Sequence, residues 1–254
     1  MLFRSMKSMK PWYSLWSFPA PYSGAEAPFI DNKMIACSHV FSRQFKEIQE
    51  EVQQFIRNQS LNPYFKDSMV KGDQGYQTLS FKWWGINFYK NQKQCPVLTE
   101  ILKSHPEIST LSINKLAPKS RILPHMGDTN AIYRGHFGIT IPGKLPHLGI
   151  KVKSEEANWT EGQFIWFMDA FEHETWNDTE FDRYVLLVDV LRPEFNHQKH
   201  AIYARVMTSM FLQKRMEIYP WLKKNSTWIV SWFAPLLIPI ARMRIAWINF
   251  IKKY

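Results

Sequence analysis

From residue 108 to residue 194 the chain consists of short, β-prone segments that follow one another about every ten residues. Each segment is rich in Ile, Val, Leu and aromatic residues, and Pro, Gly, Asn or Asp separates it from the next. The segments are ISTLSINKLA, RILPHMG, AIYRGHFGITI, GIKV, GQFIWFMD and DRYVLLVDVLR. This pattern is typical of an all-β sandwich or barrel.

Helical patterns flank the β-prone region. Between Phe41 and Asn58, apolar residues recur at helical spacing, which predicts an amphipathic helix. A second helix is expected from Val97 to Ser104, and a third from Lys199 to Tyr219. We therefore predict an N-terminal arm with helices over residues 1–109, a β core over 110–194 and a helical tail over 195–254. With 254 residues, one large domain with appendages is the natural arrangement.

The formal net charge of +10 favours an anionic partner, although it also has a simple interpretation as a determinant of solubility. No stretch alternates basic with stacking aromatic residues, so we expect no nucleic-acid partner and rank a membrane surface above it. The N-terminus has only a short, Pro-interrupted apolar stretch, and the two cysteines form no CxxC pair. These features predict a cytoplasmic protein without a signal peptide.

The segment from Trp228 to Ile251 is the most apolar part of the tail. Pro235, Pro239, Arg242 and Arg244 interrupt it, whereas a bilayer span needs about 20 predominantly apolar residues. An interfacial helix with basic anchors therefore fits better than a span and would give the chain a peripheral membrane contact. The alternative is a core helix that packs on the β domain.

Two histidines, His125 and His173, stand in polar, turn-like contexts within the β region. Neutral imidazole is a common ligand of Fe(II), but a lone His is more often structural, so the surroundings must decide. Arg134 and His136 lie two residues apart and would share one face of a strand. Arg183 opens an apolar strand, where its planar guanidinium would meet a carboxylate. A metal with a dicarboxylate cofactor explains this set economically.

The sequence resembles the aspartyl/asparaginyl β-hydroxylase family of 2-oxoglutarate dioxygenases. The resemblance extends over about 110–194, and more weakly back to about residue 80. It rests on six motifs: Pro124-His125-x-Gly127-x-Thr129-Asn130, Arg134-x-His136, Trp159-x-Glu161-Gly162, Phe171-Glu172-His173-Glu174-x-Trp176-Asn177, Arg183, and Asp189-x-x-Arg192-Pro193.

The resemblance implies a mostly β protein with flanking helices, in which the core is a double-stranded β-helix of the jelly-roll or cupin-like type. It implies Fe(II) and 2-oxoglutarate as cofactors and O₂ as co-substrate. His125 and His173 would be the iron ligands, and also the catalytic residues. Arg134 and His136 would bind the oxalyl end of 2-oxoglutarate and Arg183 its far carboxylate. Asn114 falls where a serine of the animal enzyme assists that carboxylate.

Two positions depart from the patterns of such oxygenases. Gly127 stands where most of them have the Asp of a His-x-Asp iron site, although the animal Asp/Asn hydroxylases share this glycine and are thought to have water there. Asp128 is one residue too far along the strand and would point to the opposite face. Ile132 replaces an arginine of the Asp/Asn hydroxylases, which questions recognition of an acidic side chain.

Three functions therefore compete. The first is hydroxylation of an amino-acid, peptide or protein substrate, which the His-x-Gly pattern favours slightly. The second is hydroxylation of a lipid acyl chain at a membrane, which the basic charge and apolar tail favour. The third is a catalytically silent binding module, because a fold does not fix a function. The complete set of two His and two Arg argues against the third.

Overall fold

Two antiparallel sheets form the centre of the protein in the computed structural model, which describes residues 10–17, 20–64, 69–72, 75–224 and 226–251. The larger sheet has the order β1-β11-β8-β13-β6-β4-β2, with β5 paired to β4, and the smaller has the order β10-β9-β12-β7-β3. The strands are β1 (Phe29–Ile30), β2 (Asn62–Pro63), β3 (Val70–Lys71), β4 (Tyr76–Trp83), β5 (Ile86–Asn87), β6 (Ile108–Leu116), β7 (Ser120–His125), β8 (Ile132–Thr140), β9 (Leu148–Val152), β10 (Glu155–Ala157), β11 (Phe164–Phe167), β12 (His173–Asn177) and β13 (Arg183–Leu191).

From β6 to β13 the chain passes back and forth between the two sheets. Strands β6, β8, β11 and β13 belong to the larger sheet, whereas β7, β9 and β12 belong to the smaller. This alternation defines a double-stranded β-helix, so the predicted jelly-roll core is confirmed. Ile150 and Val152 of the smaller sheet share a buried cluster with Phe167 and Val185 of the larger.

The helices that precede the core pack on the larger sheet, except for the first, which contacts the C-terminal helix. They are α1 (Ser14–Ser17), α2 (Ser38–Arg43), α3 (Phe45–Asn58), α4 (Tyr89–Gln92) and α5 (Pro96–Ser104). Helix α3 buries Ile48, Val52 and Phe55, as its apolar spacing predicted. Helix α5 begins at a proline, and Glu51 of α3 accepts hydrogen bonds from the first amides of α5, at 2.7 and 3.0 Å. A carboxylate at this position satisfies amides that lack a partner within the helix.

The N-terminal arm and the β4 strand join the core directly. The amide of Trp12 donates to Asn130 Oδ1 at 2.8 Å, and Tyr13 forms a β-bridge with Thr129. Strand β4 pairs with β6 along most of its length. The predicted region 1–109 is therefore part of the same hydrophobic core as the jelly roll. Residues 1–9 of the predicted arm lie outside the described residues.

The tail forms three helices: α6 (Lys199–Ile218), α7 (Pro220–Lys224) and α8 (Ser226–Ile251). Helix α8 packs along α6, and its Asn249 donates to the Gly85 carbonyl at 2.7 Å and accepts from the Asn87 amide at 2.9 Å. The segment Trp232–Ile251 is long and apolar enough to cross a membrane by length and composition, and only 6% of its most apolar window is buried. One face of α8 is thus fixed to the domain and the other is exposed.

Phe41 tests whether the N-terminal helices and the β core unfold together. Its fully buried ring packs edge-on against Phe137 and Phe164 of the larger sheet. We expect Phe41→Ala to lower the free energy of unfolding by about 3–5 kcal/mol in a single urea transition. Phe181→Ala, at a side chain that is 69% exposed, is the control and should have little effect. A separate early transition would contradict one shared core.

Candidate active site

His125 and His173 meet because their strands are neighbours in the smaller sheet. Strand β7 ends at His125 and β12 begins at His173, and the antiparallel register places the two residues opposite each other. Their ring centroids are 4.1 Å apart. Two histidines that are 48 residues apart in the sequence therefore form one pair of neighbouring imidazole rings.

Both rings are held in the same tautomer. Nδ1 of His125 contacts the Leu123 carbonyl and Nδ1 of His173 contacts the Phe171 carbonyl, each at 2.8 Å. Because a carbonyl only accepts, each Nδ1 carries the hydrogen and the lone pair lies on Nε2. Burial, together with the neighbouring His125, lowers the pKa of His173 well below its usual value. Two imidazoles whose Nδ1 atoms are held by carbonyls, with Nε2 left for a ligand, form a donor set that suits a divalent metal.

A carboxylate that the sequence analysis did not identify lies beside this pair. Asp169 Oδ1 is 3.6 Å from His173 Nε2, and a Cβ at Gly127 would overlap the Asp169 carboxyl group. The glycine in the His-x-Gly motif therefore makes room for Asp169. The available signal was an acid inside the apolar run FIWFMDAF. Among the described residues, no group of three or more His, Cys, Asp and Glu side chains is arranged to hold a metal.

The acids near the motifs have other partners. Asp128 accepts hydrogen bonds from Ser209 and Gln213 of helix α6, at 3.2 and 2.9 Å. Asp178, which follows β12, pairs with Arg121 at 2.5 Å on the exposed side of the smaller sheet. The contacts of Asp128 agree with the interpretation that it is not an iron ligand, and Asp178 is engaged by Arg121.

Arg134 is the centre of a buried ion-pair network. It lies opposite Asp189 in the register of β8 and β13, and its Nε and Nη2 donate to the two Asp189 oxygens at 2.7 and 2.9 Å. Its Nη1 donates to Asp169 at 2.6 Å. Burial raises the pKa of the Asp169 carboxyl, and the Arg134 guanidinium partly offsets this effect. Three Arg134 nitrogens therefore bind protein carboxylates, and its role on the oxalyl end of 2-oxoglutarate stays a prediction.

Arg183 has the opposite character, since it is buried and no carboxylate of the described residues pairs with it. The side chain is 1% exposed, its guanidinium lies 4.8 Å from the Trp159 ring, and burial lowers its pKa to about 10. Within the described part of the chain, its Nε and Nη1 have no hydrogen-bond partner. The same holds for His136 Nδ1, Trp159 Nε1 and Thr175 Oγ1. Burying polar atoms without partners is costly, so this cluster is prepared for an acceptor-rich ligand.

These residues lie on facing walls of the jelly roll. His136 and Arg183 come from neighbouring strands of the larger sheet, and the His136 ring stacks 6.0 Å from Trp159. Burial and the nearby Arg183 lower the pKa of His136 well below its usual value. Asn114 is buried on β6, where Thr78 and Ser112 donate to its Oδ1 at 2.7 and 3.1 Å.

A cavity of about 610 Å³ joins most of the predicted site residues. Asn114, His125, Arg134, His136 and His173 line it, together with the unpredicted Asp169 and Thr175. Arg183 is not among the lining residues and lies behind this wall, against Trp159. The structure thus gathers five of the six predicted residues around one space.

Comparison with known proteins agrees with this arrangement. Residues 42–193 match the family model described as aspartyl/asparaginyl β-hydroxylase, which is more than half of the 254-residue chain. The chain belongs to the aspartyl/asparaginyl β-hydroxylase family. The match confirms the resemblance seen over 110–194 and extends it through helix α3.

Two proteins with similar sequences have names that refer to different substrates. An ornithine lipid ester-linked acyl 2-hydroxylase of Rhizobium tropici is 28% identical over 171 residues, which cover 65% of this chain and 61% of that enzyme. The human aspartyl/asparaginyl β-hydroxylase is 32% identical over 120 residues, 43% of this chain and 15% of that protein. The chain therefore spans less than two thirds of either relative. A Pseudomonas putida prolyl-4-hydroxylase structure aligns with 14% identity and a TM-score of 0.39, over 58% of this chain and 87% of that one.

The contact between Gly127 and Asp169 gives a stability prediction. In Gly127→Ala the new methyl group would displace the buried Asp169 carboxylate, and overpacking of this kind costs about 1–3 kcal/mol of unfolding free energy. The matched control is Gly143→Ala, whose methyl would chiefly meet the Thr179 methyl group. If urea titrations gave the two variants equal free energies of unfolding, the Asp169 carboxylate could move aside without loss of stability, and the prediction would be wrong.

Proposed function

We propose that this hydroxylase-family protein is an Fe(II)- and 2-oxoglutarate-dependent dioxygenase. His125 and His173 would hold the iron through Nε2, because the carbonyls of Leu123 and Phe171 fix both Nδ1–H groups. When bound, iron and 2-oxoglutarate supply the oxidising power that puts one O₂ oxygen into a substrate C–H bond and the other into succinate. The observation that carries the proposal is that the His125–His173 pair shares one cavity with His136 and Thr175, whose buried polar atoms have no partner among the described residues.

Those donors are what a dicarboxylate needs. Arg183 offers two unpartnered nitrogens and a positive charge, and Thr175 adds a hydroxyl group. The second carboxylate of 2-oxoglutarate would lie towards His136, whose Nδ1 also lacks a partner. Charge-assisted hydrogen bonds would replace the missing partners and offset the burial of the guanidinium. Asn114, beside this wall, would assist the carboxylate that Arg183 binds.

The remaining charged residues keep the site in position. Asp189 holds Arg134 by two parallel hydrogen bonds, and Arg134 holds Asp169 beside His173. These ion pairs therefore join β8 and β13 to the residues before β12. A rigid site excludes loosely placed water and fixes the distance between the cofactor groups.

For the substrate we propose an acyl chain of a lipid at a membrane surface. The match to the rhizobial acyl hydroxylase covers 65% of the chain, whereas that to the human Asp/Asn hydroxylase covers 43%. Helix α8 exposes large apolar side chains, including Trp232 and Trp247 at 67% and 62%. Such a face beside Arg242 and Arg244 suits the interface of an anionic membrane. Cytoplasmic location with peripheral membrane attachment follows as part of this proposal.

An amino-acid or peptide substrate is the second candidate. Two observations favour it: Gly127 matches the His-x-Gly pattern of the animal Asp/Asn hydroxylases, and the human enzyme has the higher identity, 32%. Ile132, which is buried in the cluster around Phe195, stands against recognition of an acidic side chain. Mass spectrometry of lipid and peptide fractions from cells with and without the gene distinguishes the two classes.

The histidine pair provides the direct test of the metal assignment. His125→Ala and His173→Ala should each abolish succinate formation from 2-oxoglutarate and weaken Fe(II) binding in anaerobic calorimetry. The exposed His147→Ala is the control and should retain both. Undiminished succinate formation in either of the first two variants would contradict the proposed centre.

Arg183 tests the 2-oxoglutarate assignment. A charge-assisted pair contributes about 1.5–3 kcal/mol, so Arg183→Ala should raise the KM for 2-oxoglutarate by about ten- to a hundredfold. The Fe(II) affinity should stay near the wild-type value, because Arg183 contacts Trp159 and neither histidine of the pair. Arg121→Ala, which removes an exposed ion pair on β7, is the matched control. An unchanged KM would place the cofactor elsewhere.

A further inference from the structure

A second cavity, which we call the tail groove, adjoins the active-site cavity. It has a volume of about 500 Å³ and lies between α6, α8 and the β4–β5 region. Trp83, Phe88 and Met210 line both cavities, so the two spaces lie side by side. The lining of the tail groove is mostly apolar and includes Met207, Leu237, Ile240, Ala241, Ile245 and Ile248.

The walls of the tail groove suit a hydrocarbon chain. Helices α6 and α8 form two of these walls, and most of their main-chain groups are paired within the helices, although Pro235 and Pro239 remove two donors from α8. The Thr208 hydroxyl donates to the Ala204 carbonyl at 2.8 Å and is also satisfied. An extended peptide would bury its own amides here without partners, whereas methylene groups need none.

The tail groove also opens towards the exposed face of α8. Ile240 lines it and is 54% exposed, so this side chain belongs to both surfaces. The exposed large apolar residues recur three or four positions apart and form one stripe along the helix: Trp232, Leu236, Ile240, Met243, Trp247 and Phe250. Lys214 and Arg244, both exposed, supply positive charge at the groove.

We propose that the tail groove binds the acyl chain of an anionic membrane lipid and places the reacting carbon in the adjoining active-site cavity. This inference rests on the proposed function and names the site that recognises its substrate. The stripe on α8 would lie in the membrane interface, and one acyl chain would leave the bilayer past Ile240. Lys214 and Arg244 would attract the anionic headgroup region.

Two alanines of α8 allow a matched test. Ala241 lines the tail groove, whereas Ala246 is exposed and is not among its lining residues. Ala241→Trp should fill the groove, and Ala246→Trp adds the same side chain to the outside of the same helix. The probe is cis-parinaric acid, a fluorescent long-chain fatty acid, titrated into the iron-free full-length protein.

We expect Ala241→Trp to weaken binding of the probe by about tenfold or more, because exclusion of two methylene groups already has this effect. Ala246→Trp should bind like the wild type. Equal binding by the two variants, or equal loss in both, would overturn the proposal. Lys214→Gln, at an exposed position where folding is not at risk, should weaken binding of the acid several-fold but not of its methyl ester.

Activity separates this inference from the function on which it rests. With phosphatidylglycerol vesicles, Ala241→Trp should lose the hydroxylated acyl product, whereas Ala246→Trp, which alters the outside of the same helix, should still form it. If the wild type never forms succinate, the proposed function fails. If Ala241→Trp forms wild-type amounts of hydroxylated lipid, the function stands and the tail groove is not the acyl site.

Discussion

The structure of the active site depends on the ion-pair network around Arg134. A guanidinium and two carboxylates are buried together, which is tolerable only because each charge has a partner at hydrogen-bond distance. The network joins β8 to β13 through Asp189 and reaches the start of β12 through Asp169. His173 follows Asp169 by four residues, so its position against His125 is linked to this network. Gly127 completes it by leaving space for the Asp169 carboxylate.

Arg183 and its neighbours show what the fold leaves unsatisfied. In the larger sheet, Arg134 donates two hydrogen bonds to Asp189. Arg183, in the same sheet, is buried with two nitrogens that have no partner among the described residues. Burial of polar atoms without hydrogen-bond partners lowers the stability of a folded protein. Such burial is therefore usually found where a ligand completes the hydrogen bonds. The contrast between the two arginines assigns them different tasks in our proposal: Arg134 organises the wall, and Arg183 binds the dianion.

Helix α8 connects the catalytic core to its surroundings. Its inner face packs on α6, and Asn249 anchors it to the β4–β5 turn, while its outer face exposes a stripe of Trp, Phe, Leu, Ile and Met. A helix fixed to a domain along its length can lie on a membrane more readily than cross it, because crossing would break these contacts. In our proposal, the tail groove beside this helix connects the membrane interface to the active-site cavity, with which it shares Trp83, Phe88 and Met210.

The sequence by itself determined the fold class and most of the site. Spaced β-prone segments predicted the jelly roll, and family motifs predicted residues around the cavity. The apolar period predicted one helix over residues 41–58, but the structure interrupts it at Gln44, so that residues 41–43 belong to α2 and α3 begins at Phe45. The motifs included Trp159 without giving it a role, and they did not single out Asp169 or Thr175, because the contacts of these residues depend on neighbours that are distant along the chain. Only the tertiary structure decided that Arg134 is paired and Arg183 is not, since strand register sets which carboxylate stands opposite each arginine. The tertiary structure also decided how the tail packs. Composition predicts that α8 is apolar, but only its packing on α6 shows which face of the helix is covered and which is exposed.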